Sequence, residues 1–227
     1  MTAHFVNLLD DLRRRSLRMA SMVEDIVHEA CEAIFETDEM LARRIVARDT
    51  EVDTEEVAVE AEVIRLMALY QPVGVDLRLL CTVLKVNNDL ERIADCAINI
   101  GERARHLEVQ ALANENPLIK QLCPLVRKHL RNAIHAYSME DANVAHQVRR
   151  EEEMVDTLYA AIVRRVVEQA AAEPSCMAAH LDVLSVAKNL ERIADHATNI
   201  AEDVIYLTTG SIIRHQPRPT GPADSAP

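Results

Sequence analysis

Glycine and aromatic residues are scarce in this 227-residue chain, at four glycines and 3 % aromatics. Only eight prolines interrupt it, and four of those lie in the last dozen residues. Ala, Leu, Val, Ile, Glu and Arg dominate instead, a composition that favours long helices over sheet. Positive charge is also short: 25 Lys and Arg face 37 Asp and Glu, for a net charge of −12. Phosphate affinity comes from clustered Lys and Arg, so this charge argues against a nucleic-acid binder. The basic runs Arg13-Arg14-Arg15, Arg43-Arg44 and Arg149-Arg150 are expected to be solvated helix faces. No uncharged apolar stretch approaches ~18 residues, so no membrane span is expected. Asp10 and Asp11 break any apolar leader, and a signal peptide is not expected. The five cysteines form no CxxC pair and are odd in number, which favours a reducing cytosol with most of them as small buried side chains.

Apolar residues recur at helical spacing almost throughout. Breakers and caps delimit six helices, at 3–36, 38–70, 73–107, 117–138, 140–172 and 177–209. The breaks are Thr37-Asp38, Gln71-Pro72-Val73-Gly74, Asn114 to Pro117, Ser138 to Asp141, and Glu173-Pro174-Ser175. Gly210 is placed to end the last helix. The Pro-rich tail QPRPTGPADSAP is expected to be disordered.

One segment occurs twice. Asn88–Ile100 (NDLERIADCAINI) returns as Lys188–Ile200 (KNLERIADHATNI), so Asp95 maps to Asp195. Asp53 maps to Asp156 with three residues more between them. The expected fold is therefore all-α: two pseudo-symmetric antiparallel three-helix bundles, with units at 1–110 and 111–212 and a tail at 213–227. One continuous six-helix domain is the alternative, because the sequence does not fix how the halves pack.

On a helical wheel the third helix of each half carries an apolar stripe, Leu79, Val83, Val86, Leu90, Ile93 and Ala97 in the first and Val183, Val186, Leu190, Ile193 and Ala197 in the second. Glu91, Asp95 and Asn99 lie nearly opposite, as do Glu191, Asp195 and Asn199. The preceding helices add the pairs Asp49/Asp53 and Glu152/Asp156. Acids four apart have Cβ atoms about 5–6 Å from each other and repel mildly, so they cost stability unless a cation compensates. If neighbouring helices bring the pairs together, four carboxylates converge in each half, facing outward or into a groove. Such hard-oxygen donors suit a divalent metal, with Mg, Mn, Fe and Zn all acceptable. With 37 acids some pairs arise by chance, and Arg92 and Arg192 can neutralise the stripe without metal. His196 replaces Cys96 in the second copy and is expected to pack or face solvent rather than ligate. Catalytic patterns are missing: there is no Glu-x-x-His, the nearest being Asp25-Ile-Val-His28, and no His-Asp dipeptide. That disfavours a di-metal oxidase or phosphohydrolase and leaves a regulator or a metal-free helical adaptor.

The segment from Asn189 through Leu190, Glu191, Arg192, Ile193, Ala194 and Asp195 to Gly210 resembles the signature C-terminal helix of the PhoU family, and Gln71–Arg78 is similar to the start of the family's first-repeat helix. The resemblance covers about residues 5–212. It implies two three-helix bundles in a cytosolic, often dimeric, non-enzymatic protein that restrains phosphate uptake and the phosphate-starvation response. The implied partners are the phosphate transporter's ATPase subunit and a membrane sensor histidine kinase, so contact with the membrane would run through them. It also implies metal clusters on the Glu/Asp-x-x-x-Asp motifs met here by Asp49/Asp53, Glu91/Asp95, Glu152/Asp156 and Glu191/Asp195. Two departures stand out: Ala94 and Ala194 replace the family's usual glycine before the motif aspartate, and Cys176-Met177-Ala178 stands where the first repeat has Asp76-Leu77-Arg78.

Overall fold

The computed structural model describes residues 3–36 and 39–213. Among these it is helical and has no strand. The first bundle comprises α1 (Ala3–Ala33), the consecutive α2 (Glu39–Ala47) and α3 (Asp49–Tyr70), and α4 (Val75–Ala104). A short α5 (Leu107–Glu115) leads to the second bundle of α6 (Pro117–Met139), α7 (Ala142–Ala172) and α8 (Met177–Thr209). The Thr37-Asp38 break and the tail beyond Ile213 lie outside the described residues.

Local chemistry sets most boundaries. Gln71 and Glu140 take left-handed backbone after α3 and α6, at φ 46° and 51°. Asp141 caps α7, its Oδ1 accepting from the backbone N–H of Asn143 at 2.8 Å and of Val144 at 3.3 Å. Asn116 caps α6 in the same way, with Pro117 at the first helical position. Gly210, at φ 76°, ends α8 and donates to the Tyr206 carbonyl at 2.8 Å.

Two expectations need correction. The helix predicted over 38–70 breaks at Arg48, although no Gly or Pro stands there. Packing forces the break. Leu41, Ala42 and Ile45 of α2 are buried, and α2 approaches α4 so closely at Gly101 that a Cβ there would meet Ile45 Cγ2 at 2.9 Å. Arg48 holds the corner through Glu29 at 3.8 Å and Glu51 at 3.7 Å. The second correction is α5, which beyond Leu107 fills a stretch that none of the six expected helices covers. Val109 and Ala113 bury its inner face. Gln110 donates from Nε2 to the carbonyls of Ala104 and Glu36, both at 2.7 Å, tying α5 to the ends of α4 and α1.

The two bundles meet along α4 and α8. Lys85 near the start of α4 reaches Asp203 near the end of α8 at 3.0 Å, and Arg103 near the end of α4 reaches Asp182 near the start of α8, also at 3.0 Å. The duplicated helices therefore run antiparallel. One apolar core passes through this contact and takes residues from both halves, from Met19 and Val86 to Leu130 and Val204. A smaller cluster of Phe5, Leu9, Leu12, Val59, Val63, Leu66, Leu80 and Val83 fills the far end of the first bundle. Ala94 and Ala194 are both buried, so the methyls that depart from the resemblance are accommodated. The Arg149-Arg150 run departs from a solvated face, because Arg149 is buried and donates from Nε to Glu202 Oε1 at 3.0 Å. Cys31, Cys96 and Cys123 are buried thiols, and all five cysteines are free.

Candidate metal centre

Asp156 of α7 and Glu191 and Asp195 of α8 converge in the second bundle. Each offers one carboxylate oxygen, and the three lie within 4.8 Å of one another at half-buried positions. α7 runs unbroken through this region, so Val155 and Ile162 turn inward while Asp156 stays at the α8 border. Glu191 and Asp195 sit one turn apart on α8. Lys188 donates from Nζ to Glu191 Oε2 at 2.5 Å, which raises the lysine pKa above its usual value. Burial, reinforced by the Glu191 carboxylate, pushes Asp195 up to about 6; Asp156 adds to the rise, and Lys188 and His196 oppose it.

These residues fit a divalent cation. Oxygen ligands at about 2.0–2.6 Å from an ion sit no more than ~4–5 Å from one another across it. The donor set is entirely hard oxygen, and a carboxyl that resists ionisation is one that a cation would relieve. Glu152, expected in the same set, does not join the triad. It is 7 % exposed, turned into the protein rather than outward, because it lies one turn before Asp156 where α7 is packed against its neighbours.

The first bundle differs. Asp49 and Asp53 are exposed on the first turns of α3, and Glu91 and Asp95 are half-buried on α4. Two of them show the crowding: Asp49 is raised by burial and then by Asp53 and Asp95, and Glu91 by burial and then by Asp95, with Arg92 opposing and Glu56 and Asp53 adding. Among the described residues, however, no three of them bring ligand atoms within 4.8 Å. Arg92 occupies this stripe instead, at 3.1 Å from Glu91 and 3.2 Å from Asp95. Arg192 makes no matching bridge among the described residues.

His196 packs, as expected, and its partner was not legible in the sequence. Its Nδ1 lies 2.8 Å from Oδ1 of Asp89 on α4, and Asn199 Nδ2 donates to the same oxygen at 3.3 Å. Asp89 is 5 % exposed. The antiparallel register makes Asn189 and Cys96 the symmetry mates of Asp89 and His196. Asn189 instead donates to the Ser185 carbonyl of its own helix at 2.8 Å. The only signal in the sequence was that 89/189 and 96/196 are two of the four positions at which the copies of the repeat differ, the others being 88/188 and 98/198.

Two tandem three-helix repeats, each carrying acids where its last two long helices meet, define a duplicated helical-bundle protein. The chain belongs to the PhoU family. The family model described as the PhoU domain matches twice, over residues 16–104 and 119–204. A phosphate-specific transport system accessory protein PhoU homolog of Caulobacter vibrioides is 38 % identical over 221 residues, covering 95 % of this chain and 96 % of that one. A Pseudomonas aeruginosa protein of the same description is 33 % identical, covering 91 % and 86 %. The crystal structure of PhoU from Pseudomonas aeruginosa superposes with a TM-score of 0.84 at 32 % identity, over 91 % of this chain and all of that one. The phosphate transport system regulatory protein PhoU from Streptococcus pneumoniae shares the fold, at a TM-score of 0.84 and 24 % identity.

Proposed function

We propose that this protein is an accessory regulator of high-affinity phosphate transport, one that works by contact rather than catalysis. The observation that carries this reading is the match of both repeats, over nearly the whole chain, to proteins described as phosphate-specific transport system accessory proteins. Its contacts are with the transporter's ATPase subunit and a membrane sensor histidine kinase, and ample phosphate shifts the population toward the complex that silences the kinase. Such a shift needs only differential affinity for partners in two states. The protein acts from the cytosol, reaching the membrane through these partners, and self-associates as a homodimer. No helix among the described residues is long and apolar enough to cross a membrane. The working units are residues 1–110 and 111–212, joined within α5.

Asp156, Glu191 and Asp195 hold a divalent cation, which fixes α7 to α8 and neutralises the triad. Arg92 keeps the first bundle's acids in a metal-free ion-pair network. The regulatory reading is tested in a deletion strain: phosphate-regulated genes are expected to escape repression in rich phosphate, and normal repression would refute it. Co-purification from phosphate-replete cells is expected to bring down the ATPase or the kinase. Elemental analysis of protein purified without chelator tests the cation separately.

A further inference from the structure

We propose that the solvent face of α3 is a docking strip for a partner helix bearing an apolar stripe with a basic border. Helix α3 is apolar on two sides. One side buries Val52, Val59, Val63 and Leu66. The other carries Val57, Ala61, Ile64 and Ala68 at helical spacing, all exposed, with Val57 at 61 % and Ile64 at 54 %. A helix that packs one face into its own bundle needs only one stripe, so the second is surplus to folding. Its large and small residues alternate and leave holes over Ala61 and Ala68, the relief that accepts knobs from a facing helix. The strip runs three turns, about 17 Å.

The second repeat has no equivalent. The buried positions Val52, Val59 and Val63 correspond to Val155, Ile162 and Val166, all buried, which fixes the register. The exposed positions then become Ala160, Arg164, Val167 and Ala171, so an arginine interrupts the stripe. The exposed apolar strip thus belongs to the first repeat alone.

Charge selects the occupant. Asp53 and Glu60 line one edge of the strip, with Glu56 behind them, where its Oε1 accepts from Asn87 Nδ2 at 3.3 Å. The opposite edge holds Thr54, Ala58 and Arg65, and Arg65 is already held by Glu62 through Nε at 2.8 Å and Nη2 at 2.6 Å. A second copy fits poorly. In an antiparallel two-fold pairing the acidic edge meets itself, and in a parallel one it meets an edge with no free positive charge. An anionic lipid surface is repelled by the same acids. A helix with Lys or Arg beside its apolar stripe satisfies both features.

The face deepens the contact-based function proposed above, and its test is independent of any phosphate phenotype. The probe is an 18-residue synthetic helix with Leu at core spacing and Lys at the borders. Two controls carry Glu in place of Lys or the same residues in scrambled order. Fluorescence anisotropy is expected to find the Lys helix bound and both controls at least about tenfold weaker. Ile64→Glu should weaken the Lys helix by a similar factor, and Val167→Glu on α7 should leave it unchanged. Both sites are exposed, so circular dichroism should find helix content unaltered in each. Glu56→Lys with Glu60→Lys should reverse the preference toward the Glu helix. Equal binding of the scrambled helix, or full binding by Ile64→Glu, overturns the proposal. Self-association of the wild type that Ile64→Glu abolishes would assign the face to a second copy and overturn it equally.

Discussion

The two halves descend from one pattern yet treat the same acids differently. In the first, a corner at Arg48 separates α2 from α3, Asp49 begins a new helix, and Arg92 lies across Glu91 and Asp95. In the second, α7 is continuous over 31 residues, Asp156 keeps its register against α8, and three carboxylates converge. A motif four residues long therefore does not determine a site. Both sets carry a basic partner, Arg92 in the first half and Lys188 in the second, so the course of the neighbouring helix decides whether the acids are gathered.

The largest expected effect comes from breaking the cross-bundle contact that only one symmetry position makes. Asp89→Ala removes a buried acceptor and leaves His196 and Asn199 without it, at a cost of about 2 kcal/mol. Asn189→Ala, at the mate position, should cost less than half as much in urea denaturation, because among the described residues the Asn189 side chain donates within its own helix, to the Ser185 carbonyl. Equal costs would mean that the asymmetry carries no energy.

Next comes the corner itself. Gly101→Ala places a methyl 2.9 Å from Ile45 Cγ2, and Ile45 is β-branched and stiff. The expected cost is about 1–2 kcal/mol despite the better helix propensity of alanine. Combining it with Ile45→Ala should recover part of that cost. The matching site in the second half is Ala201, which is buried with its methyl in place.

A smaller effect concerns pH. Asp195 has a folded pKa near 6, above its unfolded value. The folded protein therefore binds this proton more tightly, and the metal-free protein loses stability as pH rises from about 4 to about 6. The group is only half-buried, so screening reduces the loss to about 1 kcal/mol. Asp195→Asn should raise the melting temperature of metal-free protein at pH 7 and not at pH 4. A divalent cation should stabilise wild type more at pH 7 than at pH 5 and leave Asp195→Asn unmoved. The smallest effect is Arg92→Ala, which removes exposed ion pairs worth under ~1 kcal/mol. It should open the first half's acids to a divalent cation, read as a rise in metal content over wild type.

Much of this was legible in the sequence. Periodicity and caps placed the long helices to within a few residues, and the duplicated LERIAD segment predicted two bundles. The corner at Arg48 was not legible, because no breaker stands there and the cause is the fit of Ile45 to a glycine more than fifty residues away. Helix α5 is too short for its periodicity to stand out. The burial of Glu152 and the Asp89–His196 contact depend on how α7 and α4 sit against α8, which no single helix encodes. The eight candidate acids were all visible as pairs, and only the packing distinguished the three that converge from the other five.

The most direct test of the difference between the halves is metal content in two double variants purified side by side without chelator. Glu191→Ala with Asp195→Ala is expected to lose the bound cation, while Glu91→Ala with Asp95→Ala keeps it. Retention in the first variant, or loss in the second alone, would contradict the assignment of the site to Asp156, Glu191 and Asp195.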